Sequence, residues 1–254
     1  VILEAYIRKR LNKKKILVMT HLVMGYPSFE DGYRIIETMV QAGVDIIELQ
    51  LPSPNPHLDG PVIRKANRVA LKKGATVSAC LALAGDIAEK WDIPFLIMGY
   101  ADDFLTIGMP EALTSFSKKK IKGILVPDLP TRKEKPYAQT AKDEGLSPIF
   151  VVAPKTSFRR MARLSAIGDG FIYCQSRDGV TGNRTFFGPA FEECISRIRK
   201  ATPLPLAVGF GLQGRKDVEY LTGKADIAVI GTRGVRIFEK NGHLGLDAFL
   251  RGLR

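Results

Sequence analysis

Residues 16–51 read ILVMTHLVMGYPSFEDGYRIIETMVQAGVDIIELQL, and periodicity alone divides the segment into three. Ile16–Val23 and Val44–Leu51 are short, almost wholly apolar runs. Between them Phe29–Ala42 has helical spacing, with Ile35, Ile36, Met39 and Val40 on one stripe. Gly43 stands where a helix C-terminal stop is expected. The segment is a β–α–β unit. Strands this uniformly apolar belong in a parallel sheet covered on both faces.

The pattern repeats along the chain. Further apolar runs are Pro94–Tyr100, Gly123–Val126, Pro148–Val152, Gly170–Cys174, Pro205–Val208 and Asp226–Ile230, which brings the count to eight. Helical stretches alternate with them at Met109–Lys119, Lys133–Glu144, Ser157–Ala166, Pro189–Arg199 and Arg215–Leu221. Val62–Lys72 and Val77–Trp91 both fall between the second and third strands, and Ile2–Asn12 precedes the first. Eight such units in 254 residues predict an α/β fold. The expected form is a single (β/α)8 TIM barrel spanning residues 1–254, with an extra N-terminal helix and an extra helix between strands 2 and 3. An open, doubly wound sheet shares this periodicity and is the alternative.

Composition narrows the function. An apolar fraction of 45% and a charged fraction of 25% are those of a globular chain. No apolar run reaches the ~18–20 residues of a membrane span. The opening VILEAYIRKRLNKKK has charges where a secretion signal carries its apolar core, so a cytoplasmic protein is expected. Cys80, Cys174 and Cys194 form no C-x-x-C, and His21, His57 and His243 have no metal-ligand spacing, so no metal site is expected. The net charge of +12 raises the question of nucleic acid. The basic runs Arg8–Lys15 and Lys118–Lys122 lack interleaved aromatics, and no nucleic-acid motif is present. They are read as solvated helix faces with a general attraction for small anions.

In a barrel, chemistry sits where strands end at the C-terminal face. Glu48 falls inside an apolar strand, where a carboxyl is costly to bury unless paired. Asp59 follows eleven residues later ahead of Gly60-Pro61, a position that also suits a helix N-cap. Together the two could serve one substrate as base and acid. Three late loops are glycine-rich: Ser176–Gly182, Gly209-Phe210-Gly211 and Gly231-Thr232-Arg233-Gly234. Glycines there let backbone N–H groups approach a phosphate, so a small phosphorylated substrate is expected.

At these residues the chain resembles the tryptophan synthase α subunit family. The family's second-loop pattern is E-L-G-x-P-F/Y-S-D-P-x-A-D-G-P, of which Glu48, Leu49, Pro52, Pro56, Asp59, Gly60 and Pro61 are kept at matching spacing. The likeness extends to Gly25-Tyr26-Pro27, Val126-Pro127-Asp128-Leu129-Pro130, Ala153-Pro154, Ser176-Arg177, Gly179–Gly182 and Gly209–Gly211. It implies retro-aldol cleavage of indole-3-glycerol phosphate to indole and glyceraldehyde 3-phosphate. Glu48 would be the acid/base, Asp59 would hold the ring N–H, and Thr181 would close the site. Gly182, Gly211, Gly231 and Thr232 would cradle the phosphate. His21, Gln50, Tyr100, Tyr173 and Phe210 would line the indole pocket, while Asn55, Pro56, Asp102 and Asp128 would face a partner. That partner would be a pyridoxal-phosphate β subunit in an αββα assembly, with no cofactor in this chain.

The departures lie at the ligand and coupling surface. Gln50 replaces a glycine, Ser53-Pro54-Asn55 replaces Phe/Tyr-Ser-Asp, His21 replaces an aromatic, and Arg233 replaces a small residue. A long side chain at 50 is expected to crowd the indole pocket and slow cleavage. The stronger form of this expectation is an impaired α subunit that acts mainly as an allosteric activator of the β subunit.

Overall fold

The computed structural model describes residues 3–105, 107–175, 187–209 and 211–253. Eight strands pair in parallel and in chain order, β1 (Leu17–Val23), β2 (Ile46–Gln50), β3 (Phe95–Met98), β4 (Gly123–Leu125), β5 (Ser147–Val152), β6 (Ile172–Gln175), β7 (Leu206–Gly209) and β8 (Ile227–Ile230). The sheet closes on itself through β1 and β8, with Leu17 opposite Ile227 and Thr20 opposite Ile230. Closure excludes the doubly wound alternative.

Side chains alternate between the two faces of each strand. Leu17, Met19, Ile46, Leu96, Met98, Leu125, Ile149, Tyr173, Ala207, Ile227 and Val229 share one buried cluster, the barrel interior. Their neighbours Val18, Leu22, Ile47, Leu49, Ile97, Ile124, Phe150, Ile172, Val208 and Ala228 lie in a second cluster under the helices. Continuing the inward series toward the strand ends puts His21, Glu48, Gln50 and Tyr100 at the C-terminal mouth. Polar side chains therefore sit on top of an apolar stack.

The helices are α1 (Leu3–Leu11), α2 (Phe29–Gln41), α3 (Pro61–Lys72), α4 (Val77–Lys90), α5 (Met109–Lys118), α6 (Thr131–Asp143), α7 (Phe158–Ile167), α8 (Pro189–Ala201), α9 (Arg215–Leu221) and α10 (Thr232–Arg251). Helix α10 and a short 3-10 turn at Ala101–Phe104 have no counterpart in the sequence reading. Gly234, Gly242 and Gly245 dilute the helical signal in the first, and Gly242 does break the helix with φ 62.

Helix α1 plugs the N-terminal end of the barrel. Leu3 and Ile7 are buried in the interior cluster beside Leu17, Ile46 and Phe171. The helix is pinned by Asp45, fully buried, whose carboxylate takes Arg10 Nη2 at 2.7 Å, Lys14 Nζ at 2.6 Å and the Val18 N–H at 3.0 Å. Part of the Arg8–Lys15 run is thus a structural clamp, not a solvated face. Truncating Ile7→Ala removes a side chain from this plug. It should lower the free energy of unfolding in urea by about 2–5 kcal/mol while leaving ligand affinity at the distant mouth unchanged.

Candidate active site

The mouth opens into a cavity of about 830 Å³ that includes space open to solvent. Its floor and walls are apolar, from Leu58, Ile63, Met98, Leu125, Val151 and Val229. Glu48, Asp59, His21, Tyr100 and Tyr173 line it as well. Strand register sets the first pair. His21 is the β1 partner of Glu48 on β2, and His21 Nδ1 lies 2.7 Å from Glu48 Oε2. Gln50, two residues further along β2 on the same face, donates Nε2–H to Asp59 Oδ2 at 2.7 Å.

Asp59 is not the cap of α3. Gly60 holds that position with Pro61 beginning the helix, and the Asp59 side chain is turned inward, 5% exposed, onto Gln50. The loop that carries it is tied to α3 by Asn67, buried, which accepts the Ser53 N–H at 2.7 Å and donates to the Ile63 carbonyl at 2.9 Å. Ser53 Oγ in turn accepts the Asn55 N–H at 3.3 Å.

Gly211, Gly231, Thr232, Arg233 and Arg236 line the same cavity. Gly211 has φ +95, which L side chains rarely adopt. Thr232 starts α10, so the first N–H groups of that helix have no intrahelical acceptor. Arg233 Nε is buried with no hydrogen-bond partner among the described residues, and its guanidinium lies 5.9 Å from the centre of the Phe249 ring. A glycine is also required at 209, where a Cβ would overlap the Tyr173 hydroxyl.

Burial and charge set the protonation of the site. Burial is the largest influence on His21 and pulls its imidazole down. The hydrogen bond and charge of Glu48, the charge of Asp59 and the Gln50 carboxamide outweigh it, so the pKa lies above the ordinary 6.5. Burial also raises Asp59 above the usual carboxylate range, against the opposing pull of Gln50, His21 and Tyr100. Tyr100 and Tyr173 are pushed up, first by burial and then by nearby carboxylates, so both stay neutral O–H groups.

Among the expected ligand-pocket residues, the structure brings together Glu48, Asp59, His21, Tyr100, Tyr173, Gly211, Gly231 and Thr232. Gln50 does not line the cavity. It is fully buried at the last inward position of β2, where its carboxamide is taken up by Asp59. Thr181, Gly182 and Phe210 lie outside the described residues. Asn55 and Asp102 are exposed and Pro56 and Asp128 half-buried on the same end of the barrel, with Asp128 accepting the Ala101 N–H at 2.9 Å. Beside them runs an apolar groove lined by Phe104, Leu105, Met109, Leu129, Pro136 and Tyr137. The sequence reading passed over Met98, Leu125, Val151 and Arg236, the first three of which the period-2 pattern would have pointed inward.

Two buried carboxylates and two arginines on one cavity at the mouth of an eight-stranded α/β barrel are the setting of an enzyme class, barrels that work on small anionic substrates. Comparison with known proteins gives the family. The family model "Tryptophan synthase alpha chain" matches residues 7–247, and the chain belongs to that family. It is 46% identical over 251 residues to the tryptophan synthase alpha chain of Desulforapulum autotrophicum, covering 99% of each chain. It is 44% identical over 252 residues to that of Syntrophotalea carbinolica, covering 99% of this chain and 100% of the relative. A chain in a structure of Mycobacterium tuberculosis tryptophan synthase superposes with a TM-score of 0.91 at 27% identity, covering 99% of this chain and 96% of the other.

Two outcomes follow from the electrostatics. A charge-assisted hydrogen bond contributes about 1.5–3 kcal/mol, so Arg233→Ala should weaken inorganic phosphate binding by roughly tenfold or more in calorimetry. An unchanged Kd would turn Arg233 away from the anion. For His21, the folded pKa exceeds the unfolded one. Its stabilising contribution is therefore complete below about 6.5 and is lost as the pH rises through the folded value. The stability advantage of the parent chain over His21→Asn should be larger at about pH 5.5 than at about pH 9 in urea titrations.

Proposed function

We propose that the chain cleaves indole-3-glycerol phosphate to indole and glyceraldehyde 3-phosphate, as a carbon–carbon lyase of tryptophan biosynthesis. The observation that carries this reading is the meeting of Glu48 and Asp59 in one cavity with a wall of Gly211, Gly231, Thr232 and Arg233. The phosphate would lie on that wall, and the flat indole ring among Leu58, Met98, Leu125 and Val151. Breaking the bond from ring C3 to the side chain requires a proton at C3 and removal of the hydroxyl proton. Glu48, which lines the cavity with one oxygen held by His21, is placed to move both. Asp59 is placed to accept the indole N–H, whose positive charge grows as C3 is protonated. No cofactor is needed in this chain.

Slowed cleavage was expected from a side chain crowding the ring. Gln50 lies outside the cavity wall, so we read the chain as an active lyase. The partner is the β subunit, which carries the pyridoxal phosphate, in an αββα assembly. The groove of Phe104, Leu105 and Met109, beside Asn55, Pro56, Asp102 and Asp128, is the surface suited to it, and Leu105 is 71% exposed there. The cytoplasm is the setting this reading assigns, and among the described residues no helix is long and apolar enough to cross a membrane.

Indole release from indole-3-glycerol phosphate, measured with and without the β subunit, tests the reading. Glu48→Gln should lower cleavage by about 10²–10⁴ with little change in stability, and Asp59→Asn by less. Absence of indole release in the parent chain, with β-subunit stimulation intact, would favour the activator reading instead.

A further inference from the structure

His21 and Gln50 each have one polar atom bonded to an active-site carboxylate and one buried atom with no hydrogen-bond partner among the described residues. His21 Nδ1 meets Glu48 Oε2 at 2.7 Å, and Gln50 Nε2 meets Asp59 Oδ2 at 2.7 Å. The leftover atoms are His21 Nε2 and Gln50 Oε1, a nitrogen that can donate and a carbonyl that can only accept. They are neighbours. His21 and Val23 on β1 register with Glu48 and Gln50 on β2, and the Gln50 carboxamide acts on the imidazole as an acceptor that favours its protonated form. Two buried, complementary atoms on neighbouring side chains are within reach of a hydrogen bond through side-chain rotation.

We propose that His21 and Gln50 form a positioning bridge that joins Glu48 to Asp59, so that the two carboxylates are oriented as one hydrogen-bonded unit. This rests on the lyase reading. The bridge runs Glu48, His21, Gln50, Asp59. An imidazolium donates to Glu48 through Nδ1 and to Gln50 through Nε2, and Gln50 passes a donor to Asp59. It places one positive charge between two like charges whose burial would otherwise favour protonating one of them. Turnover takes one proton from the substrate hydroxyl and returns one to the ring carbon, so His21 keeps its own throughout. The charged and titratable groups facing His21 are Glu48 from β2, Asp59 from the loop after it, Tyr100 and Tyr173 across the mouth, and Arg233 and Arg236 from α10. Tyr26 lies on the small apolar cavity behind it.

The test uses the full chain. Only three histidines are present, so nitrogen-15 NMR can follow each imidazole. Gln50→Met should shift the His21 titration by about half a pH unit or more without touching the imidazole. In cleavage assays His21→Asn and Gln50→Met should each lower kcat by roughly tenfold with little change in KM, and the double variant by little more than either single. The alkaline limb of the kcat profile should move in Gln50→Met and vanish in His21→Asn. Should Gln50→Met not fold, the same coupling is read from the other end, as a shifted carbon-13 titration of Asp59 in His21→Asn. An unmoved His21 or Asp59 titration, or losses that multiply in the double variant, overturns the bridge while cleavage itself stands. Coupled titrations in a chain that releases no indole overturn the lyase reading and support the bridge.

Discussion

Closure of the sheet between β1 and β8 is the constraint on which the remaining architecture rests. Once Leu17 pairs with Ile227, alternate residues of every strand have only one interior to fill. The stack from Leu17, Ile46 and Ile227 upward to Met98, Tyr173 and Val229 occupies it. That packing has no room for a second polar layer below the mouth. The functional side chains are confined to the last inward positions of the strands and to the loops beyond, and strand register, not loop flexibility, sets Glu48 opposite His21.

The confinement has an electrostatic cost that the site meets locally. Glu48 and Asp59 are each 5% exposed, far from the water that normally stabilises a carboxylate. Each is met by a hydrogen-bond donor on an inward strand position, His21 for one and Gln50 for the other. The cationic side chains Arg233 and Arg236 lie on the same cavity. The overall excess of basic residues is therefore expressed at the site as well as on the surface. At the opposite end of the barrel Asp45 is handled in the same way, by Arg10, Lys14 and a backbone N–H.

The fold was legible in the sequence because parallel strands buried on both faces leave uninterrupted apolar runs, and all eight runs coincide with observed strands to within a few residues. Glu48 was legible for the converse reason, as a charge inside such a run. Gln50 was misplaced. Comparison with a glycine at that position suggested a side chain projecting into the ligand space, whereas in three dimensions its carboxamide is drawn to Asp59. His21 could be located but its partner could not, since pairing between β1 and β2 is a matter of register that the letters do not carry. Helix α10 was missed because glycines within it mask an amphipathic pattern that tertiary packing sustains, with Leu246 and Leu250 buried.

The cavity wall of Gly231, Thr232 and Arg233 directly follows the closing strand in the chain. β8 finishes at Ile230 and α10 starts at Thr232, more than two hundred residues after β1. During synthesis the first strand must therefore wait, with one edge unpaired, until β8 has emerged from the ribosome. The mouth cannot assemble in a product that stops short of β8, because Gly231, Thr232 and Arg233 follow that strand. Ligand-binding competence and completion of the barrel are thus a single event in the life of a nascent chain.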